Sequence, residues 1–396
     1  MSIKDAGSGG DEEKVLNDSM FRFGSLVPIL ALTLFFAAVL IGQSRQFYGA
    51  LGSLKYISIV VFALSLARFR GATILDFFSI FGLVWFFVFS AFFTLFNLFG
   101  ARDILVLFGY GVCILCYIFA ATGSEDVREA LRNFLWLSSV VFVLINIPQL
   151  NESAAFSFYK QQFSGVLSNP NIFAGLAGFY LVFLFESIFN MGRSKTYVLQ
   201  VVVILFLLVF LFAAFSRGVL LAVVFSLLFS VVKKGSIRLA IALLLISSLV
   251  GSFMVVFSVN SVGAMGSREL FEDTGRYDIL LAYIDEILNR KFILGTGVSI
   301  DGGRIKSELS YFDIILFSGI GAVGFFAFLF RSLYFAIISG RQRDGDWVAV
   351  LFVYIFICST FEGYAANVAS LPSLFLYLLA GLLYSDYLCS LRLKSR

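Results

Sequence analysis

Arg217 stands in Phe215-Ser216-Arg217-Gly218, between two long apolar runs. A guanidinium cannot shed its charge there, and its fork of N–H donors matches phosphate oxygens. Gly218 permits a tight reversal and lets a ligand approach the backbone. An arginine that snorkels to mark a membrane boundary would occupy the same place, so both readings stand. Arg276, in Thr274-Gly275-Arg276-Tyr277, is the second basic candidate. A cation near a helix start gains nothing from the helix dipole. An anionic partner is therefore the functional reading and a solvated loop charge the plain one. The helix N-terminus would add amide donors of its own. Glu308, in Glu308-Leu309-Ser310-Tyr311-Phe312, can accept a proton from a hydroxyl. At its ordinary pKa of ~4.3 it is a modest base unless burial raises it, and helix starts favour acids in any case. Asn169-Pro170-Asn171 has the pattern of a helix cap followed by proline in the first turn.

The rest of the chain limits what these residues can do. It has 396 residues, 60% hydrophobic and 14% charged, against about 25% charged in a soluble domain. Long uncharged runs recur from residue 23 to residue 388. These features exclude a disordered chain, a disulfide scaffold and a soluble α/β enzyme. The runs are too continuous for the ~10-residue alternating strands of an outer-membrane barrel. The expected fold is an all-α, polytopic membrane helical bundle of about 12 transmembrane helices. There is no histidine, so Ser-His-Asp triads, histidine zinc sites and haem-His ligation are excluded. Cys113-x-x-Cys116 has no second pair beside it and reads as small apolar packing.

A spanning helix needs about 20 mostly apolar residues, and twelve spans are read at 23–42, 47–67, 73–99, 103–122, 133–150, 170–190, 197–215, 218–232, 237–258, 311–338, 346–364 and 367–388, the eighth of them short. Residues 1–22 form a cytoplasmic tail, 23–258 the first nine spans, 259–310 a large loop, 311–388 the last three spans and 389–396 a second cytoplasmic tail. The first run has the length of a true span, so no cleavable signal peptide is expected. With the N-terminus inside, fourteen Lys and Arg fall in the inner connections and C-terminal tail, and four in the short outer loops. That bias puts both termini in the cytoplasm and places 259–310 outside. A loop that long is usually functional. Ile279, Leu280, Tyr283 and Ile287 sit at helical spacing and predict a short amphipathic helix over 275–290. Gly295-Thr296-Gly297 and Asp301-Gly302-Gly303 read as turns. Lys55, Asp76, Glu186, Arg331, Glu362 and Asp386 fall inside spans. Lys55 is the deepest and Glu362 lies near the outer face. Such residues are functional when buried or reach headgroups when near span ends. The two halves show no internal repeat, which weighs against a transporter.

Taken together, these segments resemble the O-antigen ligase and O-antigen polymerase (Wzy) superfamily of integral membrane glycosyltransferases. The resemblance covers roughly residues 165–330. Gly165 to Ala174, with Asn169-Pro170-Asn171-Ile172-Phe173-Ala174, is similar to that family's Asn-rich start to a span. Ser216-Arg217-Gly218 resembles its Ser-Arg-Gly turn, Gly275-Arg276 its Gly-Arg in the large periplasmic loop, and Phe292 to Gly297 its apolar-Gly-x-Gly turn. The family's ligases carry His-Asn before a Tyr, then Gly-x-x-Gly. Here Tyr311 and Gly319, Gly321 and Gly324 are in place, and Glu308 stands at the histidine position. That departure favours a polymerase over a ligase.

The resemblance implies a multi-pass protein of the bacterial inner membrane with a periplasmic active site. It would polymerise undecaprenyl-pyrophosphate-linked oligosaccharide repeat units. Arg217 and Arg276 would hold the leaving pyrophosphate, and Glu308 would orient or deprotonate the acceptor hydroxyl. Ser216, Gly218, Asn169, Asn171, Arg268 and Arg304 would contact substrate, and Tyr277 and Tyr311 would stack on sugars or sit as interfacial aromatics. Lys55 and Glu362 are further candidates. Membrane lipids are partners, and a chain-length regulator and a flippase are implied. Nucleic acid is not, because positive-inside topology already accounts for the basic face. The alternatives are a ligase that moves glycan to lipid A-core or protein, and a flippase or transporter of lipid-linked sugars. No cofactor and no metal are expected, since there is no histidine and the loop carboxylates lack EF-hand spacing. Glycan transfer should therefore persist in a chelator; complete loss in EDTA, restored by magnesium, would contradict this.

Overall fold

The computed structural model describes residues 27–44, 54–66, 76–96, 101–122, 125–152, 162–191, 196–214, 216–234, 281, 283–285, 287–288, 294–296, 310–338, 346–362, 365 and 370–394. Within these, the chain is helical. The elements are α1 (Val27–Gln43), α2 (Leu54–Leu66), α3 (Phe77–Phe96), α4 (Ala101–Thr122), α5 (Glu125–Asn146), α6 (Pro170–Met191), α7 (Tyr197–Ala214), α8 (Arg217–Lys233), α9 (Ser310–Ser318), α10 (Ala322–Ile338), α11 (Asp346–Phe361) and α12 (Leu371–Lys394). Among the described residues, seven helices are long and apolar enough to cross a membrane. They are α3, α4, α5 with the turn after it, α6, α7, α9 with α10, and α12. Val27–Gln43, Leu54–Leu66 and Trp347–Phe361 are shorter apolar helices. Helices are the natural answer for such a sequence, because every backbone N–H and C=O is then satisfied within its own segment. The expected ninth span, 237–258, and both tails but for residues 389–394 lie outside the described residues.

The boundaries differ from the sequence reading in informative ways. Helix α5 starts at Glu125 rather than near 133, so Arg128 and Arg132 are helical rather than in a connection. Helix α12 runs on to Lys394, which takes in most of the expected tail. The expected continuous span 311–338 is broken. Gly319–Gly321 form a 3-10 turn between α9 and α10, and Gly319 has φ 53°. Only glycine enters that left-handed region without strain.

Helices α6, α11 and α12 are buried on nearly every face. Helix α11 packs on both α6 and α12, and α12 also packs on α4. The peripheral helices keep one apolar face outward, as Phe77, Phe92, Val198, Leu205 and Phe330 show. Hydroxyls in this apolar interior donate to their own helix. Ser58 bonds the Leu54 carbonyl, Thr94 that of Ser90, Ser187 that of Phe183 and Ser332 that of Phe328. Aromatic rings supply much of the packing. Phe142, Phe163, Phe173 and Phe210 meet at centroid separations of 5.1–6.4 Å and join α5, α6 and α7.

Four of the charged residues inside the spans, Asp76, Glu186, Arg331 and Asp386, are paired across helices. Arg331 Nε donates to Asp76 Oδ2 at 3.2 Å, and Ser79 Oγ bonds the same oxygen at 2.7 Å. Lys234 Nζ reaches Glu186 Oε2 at 2.9 Å, and Ser230 donates to the other oxygen. Arg128 bonds Asp386. Lys233 Nζ caps the Ala336 carbonyl at 3.0 Å. All these contacts fall at one end of the bundle, and the Arg217 reversal lies at the other. Removing one partner of a buried pair strands the other charge, so these residues hold the helix ends in register.

Helices α3 and α10 touch most closely at Gly82 and Gly324. A Cβ on either would collide with the carbonyl oxygen of the other. Gly82→Val should therefore wedge the two helices apart and cost about 1–3 kcal/mol. Thermal unfolding of the detergent-solubilised protein would read this as a lowered midpoint; an unchanged midpoint would show that the contact tolerates a side chain.

Candidate functional site at the Arg217 end

Helix α7 ends at Ala214, and the chain reverses through Ser216, which is extended (φ −89°, ψ 104°), into α8. This is the turn that the Ser-Arg-Gly sequence predicted. Arg217 opens α8 and its side chain is exposed. Ser216 is buried at the N-cap position and makes no side-chain cap bond. The first amides of a helix have no acceptor within it, so the α8 start carries positive character beside the guanidinium.

Gly218 serves a different purpose from the one its type suggested. It is buried, and a Cβ there would lie 2.7 Å from Cβ of Phe361. The space goes to the end of α11 rather than to a ligand. Because Phe361 sits on Gly218, Arg217 and Glu362 are the chain neighbours of a single helix–helix contact.

Glu362 terminates α11. It is buried, and its N–H donates to the Cys358 carbonyl at 2.8 Å. Its own carbonyl accepts from Ser310 Oγ at 2.7 Å, and that oxygen accepts the Ala365 N–H at 3.0 Å. Ser310 is fully buried and opens α9. It therefore ties the start of α9, two residues after Glu308, to the end of α11. Sequence reasoning did not single out Ser310, because a serine at a helix start is common and its partner lies 52 residues away.

Asn169 Oδ1 accepts the Asn171 N–H at 2.8 Å. Its oxygen acts as the cap of α6, ahead of Pro170, as the sequence pattern indicated. Asn169 is exposed and Asn171 half-buried. The segment before them is fixed from several sides. Val166 N–H donates to Asn146 Oδ1 at 2.9 Å, Phe163 N–H to the Ala213 carbonyl at 3.1 Å, and Ser168 N–H to the Gln43 carbonyl at 3.0 Å. The ends of α1, α5 and α7 thus converge on the residues leading into α6.

Tyr311 is packed, rather than presented for stacking on a sugar. Its hydroxyl donates to the Phe356 carbonyl at 2.7 Å, and its ring lies 5.8 Å from Phe326 and 5.9 Å from Phe356. Lys55 lies in α2, with its ammonium 5.3 Å from the Tyr56 ring centre. Asp313 is a carboxylate that sequence reasoning left out. It lies in the first turn of α9 and accepts from Tyr283 Oη at 2.6 Å. Tyr283 is buried, and the described residues around it, 281, 284–285 and 287–288, are helical, inside the expected amphipathic segment. Thr296 N–H donates to the Leu316 carbonyl at 2.8 Å, so the Gly295-Thr296 turn also docks on α9. A Cβ on Gly295 would strike the Phe317 carbonyl oxygen. Arg276, Tyr277, Arg268, Arg304 and Glu308 lie outside the described residues.

The structure thus brings Arg217, Glu362, Ser310, Asp313 and the Asn169 cap to one end of the bundle. Chemically, that end offers an exposed guanidinium for an anion and carboxylates that can handle a proton. No protein-family model, curated protein or solved structure matches the chain.

The cysteines provide a test of orientation. Cys113, Cys116 and Cys358 are buried, whereas Cys389, at the ion-pair end, is exposed. A membrane-impermeant maleimide should leave Cys389 unlabelled in intact cells and label it in inverted vesicles, while Arg217→Cys should be labelled in intact cells. The reverse pattern would invert the expected topology.

Proposed function

We propose that the chain is a membrane glycosyltransferase that polymerises undecaprenyl-pyrophosphate-linked oligosaccharide repeat units at the outer face of the bacterial inner membrane. The observation that carries this reading is the Gly218–Phe361 contact. It seats the exposed Arg217 beside the end of α11, where Ser310 anchors the start of α9. The Ser-Arg-Gly reversal and the residues following Glu308 therefore share one end of the bundle, as a two-part transfer site requires.

In this reaction the acceptor hydroxyl attacks the anomeric carbon of the donor sugar. The bond from that carbon to the pyrophosphate oxygen breaks, and the electron pair leaves with the pyrophosphate. Arg217 and Arg276 hold the developing negative charge. Such preorganised donors act more strongly at a low-dielectric membrane boundary than in water. The hydroxyl proton passes to the Glu308 carboxylate. The lipid tail lies between helices.

Arg217→Ala should slow transfer by roughly 100-fold or more, as should Arg276→Ala, with both proteins still inserted. Arg217→Lys should not restore activity, because a point charge cannot replace bidentate contact. Glu308→Gln should slow transfer and leave donor binding intact. The assay is incubation of purified protein with the lipid-linked oligosaccharide as sole substrate. A ladder of longer lipid-linked glycans is expected from the unmodified protein. No ladder from folded protein would shift the reading to a ligase lacking its acceptor or to a flippase.

A further inference from the structure

A groove of about 740 Å³ runs between α3 and α10. Phe78, Phe81 and Trp85 form one wall, and Ile320, Val323 and Ala327 the other. Gly82 and Gly324 form its floor, where the two backbones meet. It is open outward, since Phe78 is 71% and Val323 57% exposed. It extends from Ile320, in the 3-10 turn, along α10 to Arg331, which is roughly 16 Å at the helical rise. One leaflet of a bilayer contributes about 15 Å of hydrocarbon. The groove therefore has the length of one leaflet.

Arg331 closes the groove at the ion-pair end. Its side chain is 38% exposed, whereas Asp76 is turned inward at 6%. Nε is the nitrogen that bonds Asp76, and the guanidinium lies 4.8 Å from the centre of the Phe335 ring. Among the described residues, this leaves the Nη donors for a partner at the groove's mouth. An apolar trough one leaflet long, ending in an oriented guanidinium, is complementary to a lipid with a phosphate head. A second apolar protein face would match the trough but not the arginine.

We propose that this groove binds an anionic glycerophospholipid of the leaflet on the ion-pair side. One acyl chain lies between α3 and α10, and the phosphate is held by Arg331. The site is independent of the glycan-transfer reading, since it faces the opposite leaflet and shares no residue with that chemistry. By the charge bias of the loops this is the cytoplasmic leaflet, where anionic lipids attract basic groups.

Trp85 in the wall provides the probe. Trp136→Phe with Trp347→Phe leaves it as the sole tryptophan. The protein is reconstituted in phosphatidylcholine with a small mole fraction of phosphatidylglycerol brominated on its acyl chains. Trp85 quenching is expected to exceed, several-fold, the value set by that mole fraction. Brominated phosphatidylcholine at the same fraction should quench only in proportion. Ala327→Phe, which fills the groove and leaves the Arg331–Asp76 pair intact, should bring phosphatidylglycerol quenching down to the proportional level. Arg331→Lys should weaken the excess. Proportional quenching by both lipids would overturn the proposal. So would loss of the excess on adding unbrominated undecaprenyl phosphate but not unbrominated phosphatidylglycerol, which would assign the groove to a polyprenyl chain. Efficient disulfide-linked dimers of Val323→Cys in the membrane would assign it instead to a second copy of the chain.

Discussion

Inside a bilayer there is no water to satisfy a polar group, and the arrangement of this protein follows from that constraint. Backbone groups are satisfied by helices, and hydroxyls such as Ser187 and Ser332 donate back to the preceding turn. Charges cannot be met that way. They are gathered at the helix ends and paired across helices, as in Arg331–Asp76, Lys234–Glu186 and Arg128–Asp386. Between the two ends lies an interior of Phe, Leu, Val and Tyr, with α6, α11 and α12 at its centre.

This division gives the two ends different roles. At the ion-pair end, positive charges are matched by carboxylates from other helices, so they serve mainly to fix the register of the bundle. At the Arg217 end, the guanidinium is exposed and the carboxyl-bearing Glu362 is buried. Contacts there are made largely through backbone groups and small residues: the Ser310 hydroxyl between Glu362 and Ala365, the Asn169 cap and the Asn146 carboxamide.

Glycine does two jobs here, and the distinction bears on function. Gly319 takes a left-handed conformation and divides α9 from α10. The short helix α9 can then carry Ser310, Tyr311 and Asp313 at its own angle, and the Gly295-Thr296 turn packs against it. Gly82, Gly218 and Gly324 instead provide room for a neighbouring helix. In the absence of a hydrophobic force between helices in lipid, such close approach is how they gain contact.

The membrane-helical class was legible from composition and run length alone, because the bilayer sets how many apolar residues a helix needs. The Ser216–Gly218 reversal and the Asn169 cap were legible too, since both depend on residues adjacent in sequence. Tertiary structure decided which partners the charged residues take. Asp76 and Arg331 are 255 positions apart, and Ser310 and Glu362 are 52 apart; helical periodicity indicates a face but not its neighbour. It also decided that the Tyr311 hydroxyl bonds the Phe356 carbonyl and that Gly218 receives Phe361, where the sequence suggested room for a ligand. The uniformly apolar sequence hides such outcomes. When nearly every position on a helix is hydrophobic, only packing determines which side meets lipid and which meets protein.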